Sequence, residues 1–313
     1  MLTWERLRVF AAVARFGSVQ AAAEALHVTG PAVSQHLRRL EREAGCALVE
    51  RDGRGIRLTH AGRVLAASAQ QMDEAAVQAG ADLSAISGLV AGTLRVGAIA
   101  SVLRALLPQV ISSLTGRYPR LELTVRDGEA ADMLPELQAG RLDAVVMESW
   151  THAPARIPPG VRTHPLVHEP AMLAVHSGHP LAHLPEAPLS SLHDLAWTSC
   201  PAGSDAHQAL VQMLRQQAVT DVRIRYCVAD YSTQLQLVAA GVTAALVPRM
   251  AATVTPPGVR LIPCRPTITR TVSVVTAQRT DTPTVRAFVA EMTRAALSTE
   301  TTQGPDPLAG SGP

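Results

Sequence analysis

Along the first 90 residues apolar side chains recur every three or four positions, the spacing that lines one face of an α-helix. Thr3 is placed to cap a helix whose Leu7, Phe10, Ala11 and Ala14 share a face, with Gly17 as its stop. Ser18 is placed to cap a second over residues 19–27, where Ala21, Ala22, Ala25 and Leu26 allow close helix packing. A third runs from about 31 to 44, with Val33, Leu37 and Leu40 inward and Gly45 as its end. Two short strands flank the turn Asp52-Gly53-Arg54-Gly55 and predict a hairpin. Thr59 then opens a long helix to about 86. On it Leu65, Ala69, Met72, Ala76, Ala79, Leu83 and Ile86 alternate by four and three, a heptad seam that predicts a two-chain coiled coil.

Gly88 and Gly92 break that helix, and the pattern changes. Strands over 94–98, 121–125 and 142–146 alternate with helices over 102–114 and 130–139, which predicts a parallel α/β sheet. A crossover rich in proline (Pro154, Pro158, Pro159, Pro165) leads to a second set of elements. These are a strand over 171–175, a helix after Ser204, a strand over 222–227, a helix over 231–240 and a strand over 243–247. A strand over 271–276 returns to the first set, closed by a helix over 283–297. The Gly/Pro/Thr-rich residues 301–313 read as a disordered tail.

A chain of 313 residues is long for one core, so two or three domains are expected. Net charge is only +2, so a nucleic-acid surface has to be local. The sequence contains no lysine, a bias that fits a GC-rich coding sequence. It excludes Schiff-base and P-loop chemistry, both of which need that residue. No apolar run reaches membrane-spanning length, and Glu5, Arg6 and Arg8 argue against a signal peptide. Cys46, Cys200, Cys227 and Cys264 form no C-x-x-C pair, so the default is a cytoplasmic protein with reduced thiols.

On the third helix Ala32, Ser34, Gln35, Arg38, Arg39 and Arg42 fall largely off the apolar stripe. Polar groups near its start suit base edges, and arginines and the helix N-terminus suit phosphates. Arg51, Arg54 and Arg57 give the hairpin a positive tip. The string Val28-Thr29-Gly30-Pro31-Ala32-Val33-Ser34-Gln35-His36-Leu37-Arg38-Arg39-Leu40-Glu41 resembles the signature of LysR-type transcriptional regulators. So does Leu48-Val49-Glu50-Arg51 through Leu58-Thr59-His60-Ala61-Gly62. Gly30 stands where the family commonly has Gln, Gln35 where it has Arg, and Val49 where it usually has Phe. The first two lie near DNA in the family, so the bases read here are expected to differ.

The resemblance implies an all-α winged helix-turn-helix N-terminal domain (1–60), a dimerising linker helix (61–90) and an α/β two-lobed, periplasmic-binding-protein-like effector domain (91–300). Lobe 1 would take about 92–163 and 268–300, and lobe 2 about 164–267. It further implies double-stranded promoter DNA as partner, contact with RNA polymerase, a homodimer or homotetramer and an unidentified small-molecule effector. No metal, no cofactor and no enzymatic activity are implied. DNA contacts would come from Thr29, Gly30, Pro31, Ala32, Ser34, Gln35, Arg38, Arg39, Arg51 and Arg54. In open α/β sheets ligands sit beyond the carboxyl ends of strands. That position and the resemblance select Ala100, Ser101 and Val102, then Gly128, Glu129 and Ala130, then Glu148 and Ser149. From the second lobe they select Ala202, Gly203, Ser204, Ala229 and Asp230. The family often has Ser or Thr at the second of these loops; Glu129-Ala130-Ala131 lacks that hydroxyl, which weakens the expectation of a carboxylate ligand.

Eight of the eleven histidines lie between His152 and His207. His179 and His183 have the interval of a helical metal pair, but Pro180 and Pro185 argue against the helix. Cys200 falls where peroxide-sensing relatives carry a reactive cysteine, so a redox-responsive regulator is the alternative; an inert buried thiol is the blander one. An enzyme lacks any organising motif here, and a solute-binding protein has no use for residues 1–60.

Overall fold

The computed structural model describes residues 2–52, 55–193, 195–217 and 222–302. Contacts divide the chain into two units at Leu83/Ser84, within a single helix. The first unit opens with α1 (Trp4–Phe16), α2 (Val19–Ala25) and α3 (Gly30–Ala44). Ser18 accepts a hydrogen bond from the Ala21 amide and Thr29 from that of Ala32, as N-caps do. Thr3 caps α1 by position only, with no side-chain hydrogen bond. Strands β1 (Val49–Asp52) and β2 (Gly55–Leu58) form the antiparallel hairpin. Val9, Val13, Ala22, Ala23 and Val33 make one small core; Leu7, Phe10, Leu37, Leu40 and Leu48 make another.

The long helix α4 (His60–Ser87) is joined to the head at its first turn. Thr59 Oγ1 accepts from the Gly62 amide and donates to Ala47 O. Gly62 lies so close to β1 that a Cβ there would sit 2.0 Å from the Leu48 carbonyl oxygen. The heptad seam divides in two: Leu65 and Ala69 belong to the head core. Met72, Ala76, Ala79 and Leu83 are exposed, and the Ile86 side chain lies outside the described residues.

The second unit contains β3 (Gly92–Ala98), α5 (Ala100–Ala105), α6 (Leu107–Arg117), β4 (Leu121–Asp127), α7 (Ala130–Gln138) and β5 (Ala144–Trp150). It continues through β6 (Val161–His176), β7 (Ala187–Pro188), β8 (Trp197–Ser199), α8 (Asp205–Gln216), β9 (Ile224–Cys227), α9 (Tyr231–Ala239) and β10 (Ala245–Pro248). Strand β11 (Val259–Ala277) and helix α10 (Pro283–Thr302) complete it. The main sheet runs β10-β6-β11-β5-β3-β4. It is mixed: β3 is parallel to β4 and β5, whereas β11 is antiparallel to β5 and β6. One core, from Leu94 through Val146 and Val274 to Phe288, fills lobe 1; Leu173, Trp197, Leu210 and Ile262 centre lobe 2.

Several elements depart from the expected pattern. The helix expected over 102–114 is two, because Pro108 at the start of α6 has no amide to continue α5. The strand expected over 171–175 is the end of β6, which begins inside the proline-rich crossover; Pro165 is tolerated at a register shift opposite Val272 and Ser273. The return strand expected over 271–276 is the last part of β11. Both strands therefore run through both lobes. Helix α10 reaches Thr302, so residues 301 and 302 are helical rather than tail, and 303–313 lie outside the described residues.

Candidate functional site

Helix α3 turns Pro31, Gln35, Arg38, Arg39 and Arg42 to solvent, with Gly30, Ala32 and Ser34 half-buried beside them and Thr29 exposed at the N-cap. Arg38 Nε donates to Ser34 O at 3.2 Å and Arg42 Nε to Arg38 O at 3.4 Å, so these side chains lie back along the helix. Glu41, which sequence reasoning gave no role, accepts from the Leu48 and Val49 amides at 2.9 and 3.3 Å. It ties α3 to the hairpin. Arg54 lies outside the described residues, as does the side chain of Arg51. The exposed stripe is cationic and starts at a helix N-terminus, the arrangement that holds a phosphate backbone.

The second site is built where β5, β11 and β6 run side by side. Register places Glu169 directly opposite Arg270 on one side and Trp150 on the other, with Glu148 opposite Val272 on the same face. Arg270 is fully buried. Its Nε donates to Glu169 Oε1 at 2.8 Å, its Nη1 to Ser101 Oγ at 3.1 Å, and Nη1 also pairs with Glu148. Glu169 Oε2 accepts from the Met250 amide at 2.6 Å. The guanidinium carbon lies 6.0 Å from the Trp150 ring centre. Burial works against the charge of Arg270, but Glu148 and Glu169 outweigh it and hold its pKa above the ordinary value.

Around this node the predicted loops divide by what their side chains do. Ser101 and Glu148 are part of it. Val102 and Ala130 turn into the lobe 1 core, and the Val102 backbone is engaged as well, its amide donating to Ile99 O and its carbonyl accepting from the Leu106 amide. Ser149 Oγ accepts from the Ala155 amide and Ser204 Oγ from that of His207, each serving a local turn or cap. Ala202, Gly203 and Ala229 are exposed, Gly203 with φ 99°, and Ala100 and Gly128 are half-buried. Asp230 caps α9 and pairs across the lobes with Arg104 of α5, which also reaches Ser232. Partial burial pulls the Asp230 carboxyl up, yet hydrogen bonds from Thr233 and Arg104 hold it at about 2.

Glu129, the N-cap of α7, is raised to about 7 by burial and then by Glu148, Asp205, Asp127 and Asp132. Asp205, first residue of α8, is raised to about 6 by burial and by Glu148. Tyr231, 6% exposed, sets its hydroxyl beside the Cys200 thiol. Burial first, then the neighbouring Cys200 and Glu148, raise its pKa. Burial and Glu148 push the Cys200 thiol up to about 12; Gln234 Nε2 donates to its sulfur at 3.5 Å. His179 caps and His183 ends a 3-10 turn rather than an α-helix, and the described residues contain no group of three or more potential metal ligands.

Two family models cover most of the chain: "Bacterial regulatory helix-turn-helix protein, lysR family" over residues 4–63 and "LysR substrate binding domain" over 87–297. The chain belongs to the LysR family of bacterial transcriptional regulators. Among LysR-family relatives, the DNA-binding transcriptional dual regulator OxyR of Escherichia coli (strain K12) is 30% identical over 289 residues, 86% of this chain and 87% of that one. A probable hydrogen peroxide-inducible genes activator of Streptomyces viridosporus is 32% identical over 246 residues, 79% of this chain and 77% of the relative. Of solved structures, a cysteine-to-serine, hydrogen peroxide-bound OxyR of Corynebacterium glutamicum matches with TM-score 0.60 and 27% identity, covering 97% of this chain and 96% of that one. Full-length CbnR with its target DNA shares the fold at TM-score 0.67 and 24% identity, over 94% and 100% of the two chains.

Sequence reasoning missed Arg270, Glu169, Arg104, Asp205 and Tyr231 in this LysR-family effector unit. Arg270 carried a signal, a charge set in the otherwise apolar and hydroxyl-bearing run Ile268-Thr269-Arg270-Thr271-Val272. Its partners depend on cross-strand register, which no local pattern prints.

Proposed function

We propose that this LysR-family regulator binds promoter DNA through α3 and the hairpin, and that a small molecule between lobes 1 and 2 controls that binding. The observation that carries the reading is the convergence of groups from both lobes. Ser101, Glu129 and Glu148 of lobe 1 meet Asp205 and Tyr231 of lobe 2 beside the buried Arg270. The lobes are joined here by β6 and β11 and by the exposed Arg104–Asp230 pair. A ligand that contacts both sides stabilises one inter-lobe angle over others, and differential affinity for that angle is all that a switch requires. In the oligomer, a homodimer through the exposed half of α4 or a homotetramer, the changed angle re-spaces paired heads on a dyad-symmetric site. The protein acts in the cytoplasm, with RNA polymerase as a further partner and no catalysis of its own. Thr29, Gly30, Pro31, Ala32, Ser34, Gln35, Arg38 and Arg39, with Arg51 and Arg54 of the hairpin, are assigned to DNA.

The names of the relatives favour a second reading, response to peroxide. Against Cys200 as its sensor stands a thiol held protonated by burial, which makes a poor nucleophile. A mobility-shift titration on the gene's own upstream DNA at two salt concentrations tests the DNA assignment. Wild type is expected to bind above random DNA and to weaken with salt, and a Ser34→Ala/Arg38→Ala protein to lose about tenfold or more in affinity. Equal binding by both proteins removes α3 from the interface. A change in the shift on peroxide treatment that persists in Cys200→Ser places any redox response elsewhere.

A further inference from the structure

We propose that Gln20, at the start of α2, reads an adenine edge in the major groove where the first turn of α3 enters it. This rests on the reading of α3 as the DNA-facing helix. The first turn of a recognition helix is the part that comes closest to base edges. In α3 that turn has little to read with. Gly30, Pro31 and Ala32 carry no hydrogen-bonding side chain, and Pro31 lacks even an amide N–H. The Thr29 hydroxyl before them is occupied, accepting from the Ala32 amide at 3.4 Å. The first polar side chain inside the helix is that of Ser34, a turn further on. A group that tells bases apart at the mouth of α3 has to come from another element.

Helix α2 supplies one. A Cβ at Gly30 would stand 3.3 Å from Gln20 Oε1 and 4.0 Å from Val19 Cγ1, so the exposed Gln20 amide lies against the space that a side chain at position 30 would take. The backbone does not call for glycine there, since Gly30 has no positive φ. What Gly30 provides is room. Packing holds the two helices in this relation: Ala22 and Ala23 of α2 share a buried cluster with Val33 of α3, and Val19 lies against it.

Only one orientation of the Gln20 amide fits its surroundings. Gln20 Nε2 donates to Glu24 Oε1 at 3.2 Å, and a carboxylate only accepts, so the nitrogen faces Glu24 and the oxygen faces α3. Among the described residues the amide makes no other hydrogen bond. Oε1 is left to accept and the second Nε2 hydrogen to donate, side by side. A phosphate oxygen only accepts and has nothing to give Oε1. Adenine presents its N6 donor beside its N7 acceptor and matches both atoms, whereas guanine offers two acceptors and cytosine a lone donor.

The test takes the duplex that full-length wild type selects from a randomised pool and replaces each base pair of a half-site in turn, with binding measured by mobility shift. Wild type is expected to prefer A·T at one position by about fivefold or more. Gln20→Ala, checked for folding by circular dichroism, is expected to bring that preference under about twofold and to keep the preferences at other positions. It should leave the salt dependence of binding unchanged, because a neutral amide releases no counterions. Gly30→Ala presses a methyl against Gln20 Oε1 and is expected to lose the same preference, adding nothing in the Gln20→Ala background.

Uniform weakening of Gln20→Ala on every duplex would make the residue a backbone contact and overturn the base reading. Loss of a preference for any other base pair overturns the choice of adenine. Losses that add in the double variant sever Gly30 from Gln20 and overturn the geometry on which the proposal stands. Binding by Gln20→Ala that matches wild type, beside a Ser34→Ala/Arg38→Ala protein that has lost it, sinks the proposal and leaves α3 on the DNA. If neither protein differs from wild type, the assignment of α3 falls with it.

Discussion

Along α3 of the head, Arg38, Arg39 and Arg42 stand in water and, among the described residues, pair with no carboxylate, whereas in the effector unit Arg270 is sealed between Glu148 and Glu169. The two regions put the same side chain to opposite use. Exposed guanidinium groups keep their hydration until a polyanion replaces it, so they contribute binding and little folding stability. A buried one has lost its hydration already and is held by compensation, so removing either side leaves a charge stranded. The head is thus tuned by what it meets, and the effector unit by what it encloses.

Four substitutions sharpen or break this contrast. Arg270→Met leaves two buried glutamates without their counter-charge and is expected to cost about 3–5 kcal/mol, a fall in Tm of about 10 °C. A fall under about 2 °C by differential scanning calorimetry would show that the node contributes little and erase the contrast. In the head, Gly62→Ala forces a methyl against the Leu48 carbonyl and is expected to cost about 1–3 kcal/mol. Urea melts followed by loss of DNA binding should detect it, and an unchanged midpoint would mean that α4 can shift relative to β1.

Glu129→Gln is expected to stabilise. The folded-state pKa of Glu129 is raised from 4.5 to about 7, so ionisation penalises the fold progressively as pH rises across that window and fully above it. Allowing for its partial exposure to solvent, the gain at pH 8 is about 1 kcal/mol, or about 2–4 °C in Tm, and vanishes toward pH 4.5. A gain that does not depend on pH would assign the effect to packing instead. The smallest effect is expected of Arg104→Ala: its pair with Asp230 is exposed, so stability should fall by less than about 1 kcal/mol. A larger loss in thermal melts would mean that this pair carries the lobe arrangement in the way the buried node does.

How legible each region was follows from the range of its determining contacts. The head was open to reading because its signals are local: Val33, Leu37 and Leu40 at helical spacing, caps at Ser18 and Thr29, and the hairpin turn, all within a few residues of what they control. In the effector unit the order of strands and helices was legible for the same reason. The break at Pro108 was open to reading but outweighed by the apolar run around it. The extent of β6 and β11 was not legible, since their central parts are held by each other across about a hundred positions of chain, as Arg270 and Glu169 are. At the cleft, the rule that ligands sit beyond strand ends found Ser101, Glu129 and Glu148. It missed Asp205, one position past the cap residue Ser204, because its importance lies in charges contributed by the other lobe.

The passage of β6 and β11 through both lobes also governs the order in which the protein can be made. Lobe 1 begins with β3, yet its sheet needs β11 and one flank of its core needs Phe288 and Met292 of α10, which follow every element of lobe 2 in the chain. During synthesis the head has all its parts once α4 emerges, while β3, β4 and β5 wait with apolar faces uncovered until the far end of the sequence arrives. The nascent chain therefore leaves that apolar surface uncovered from the end of β5 at Trp150 until Phe288 and Met292 have been made, and this is the interval in which a chaperone would find it.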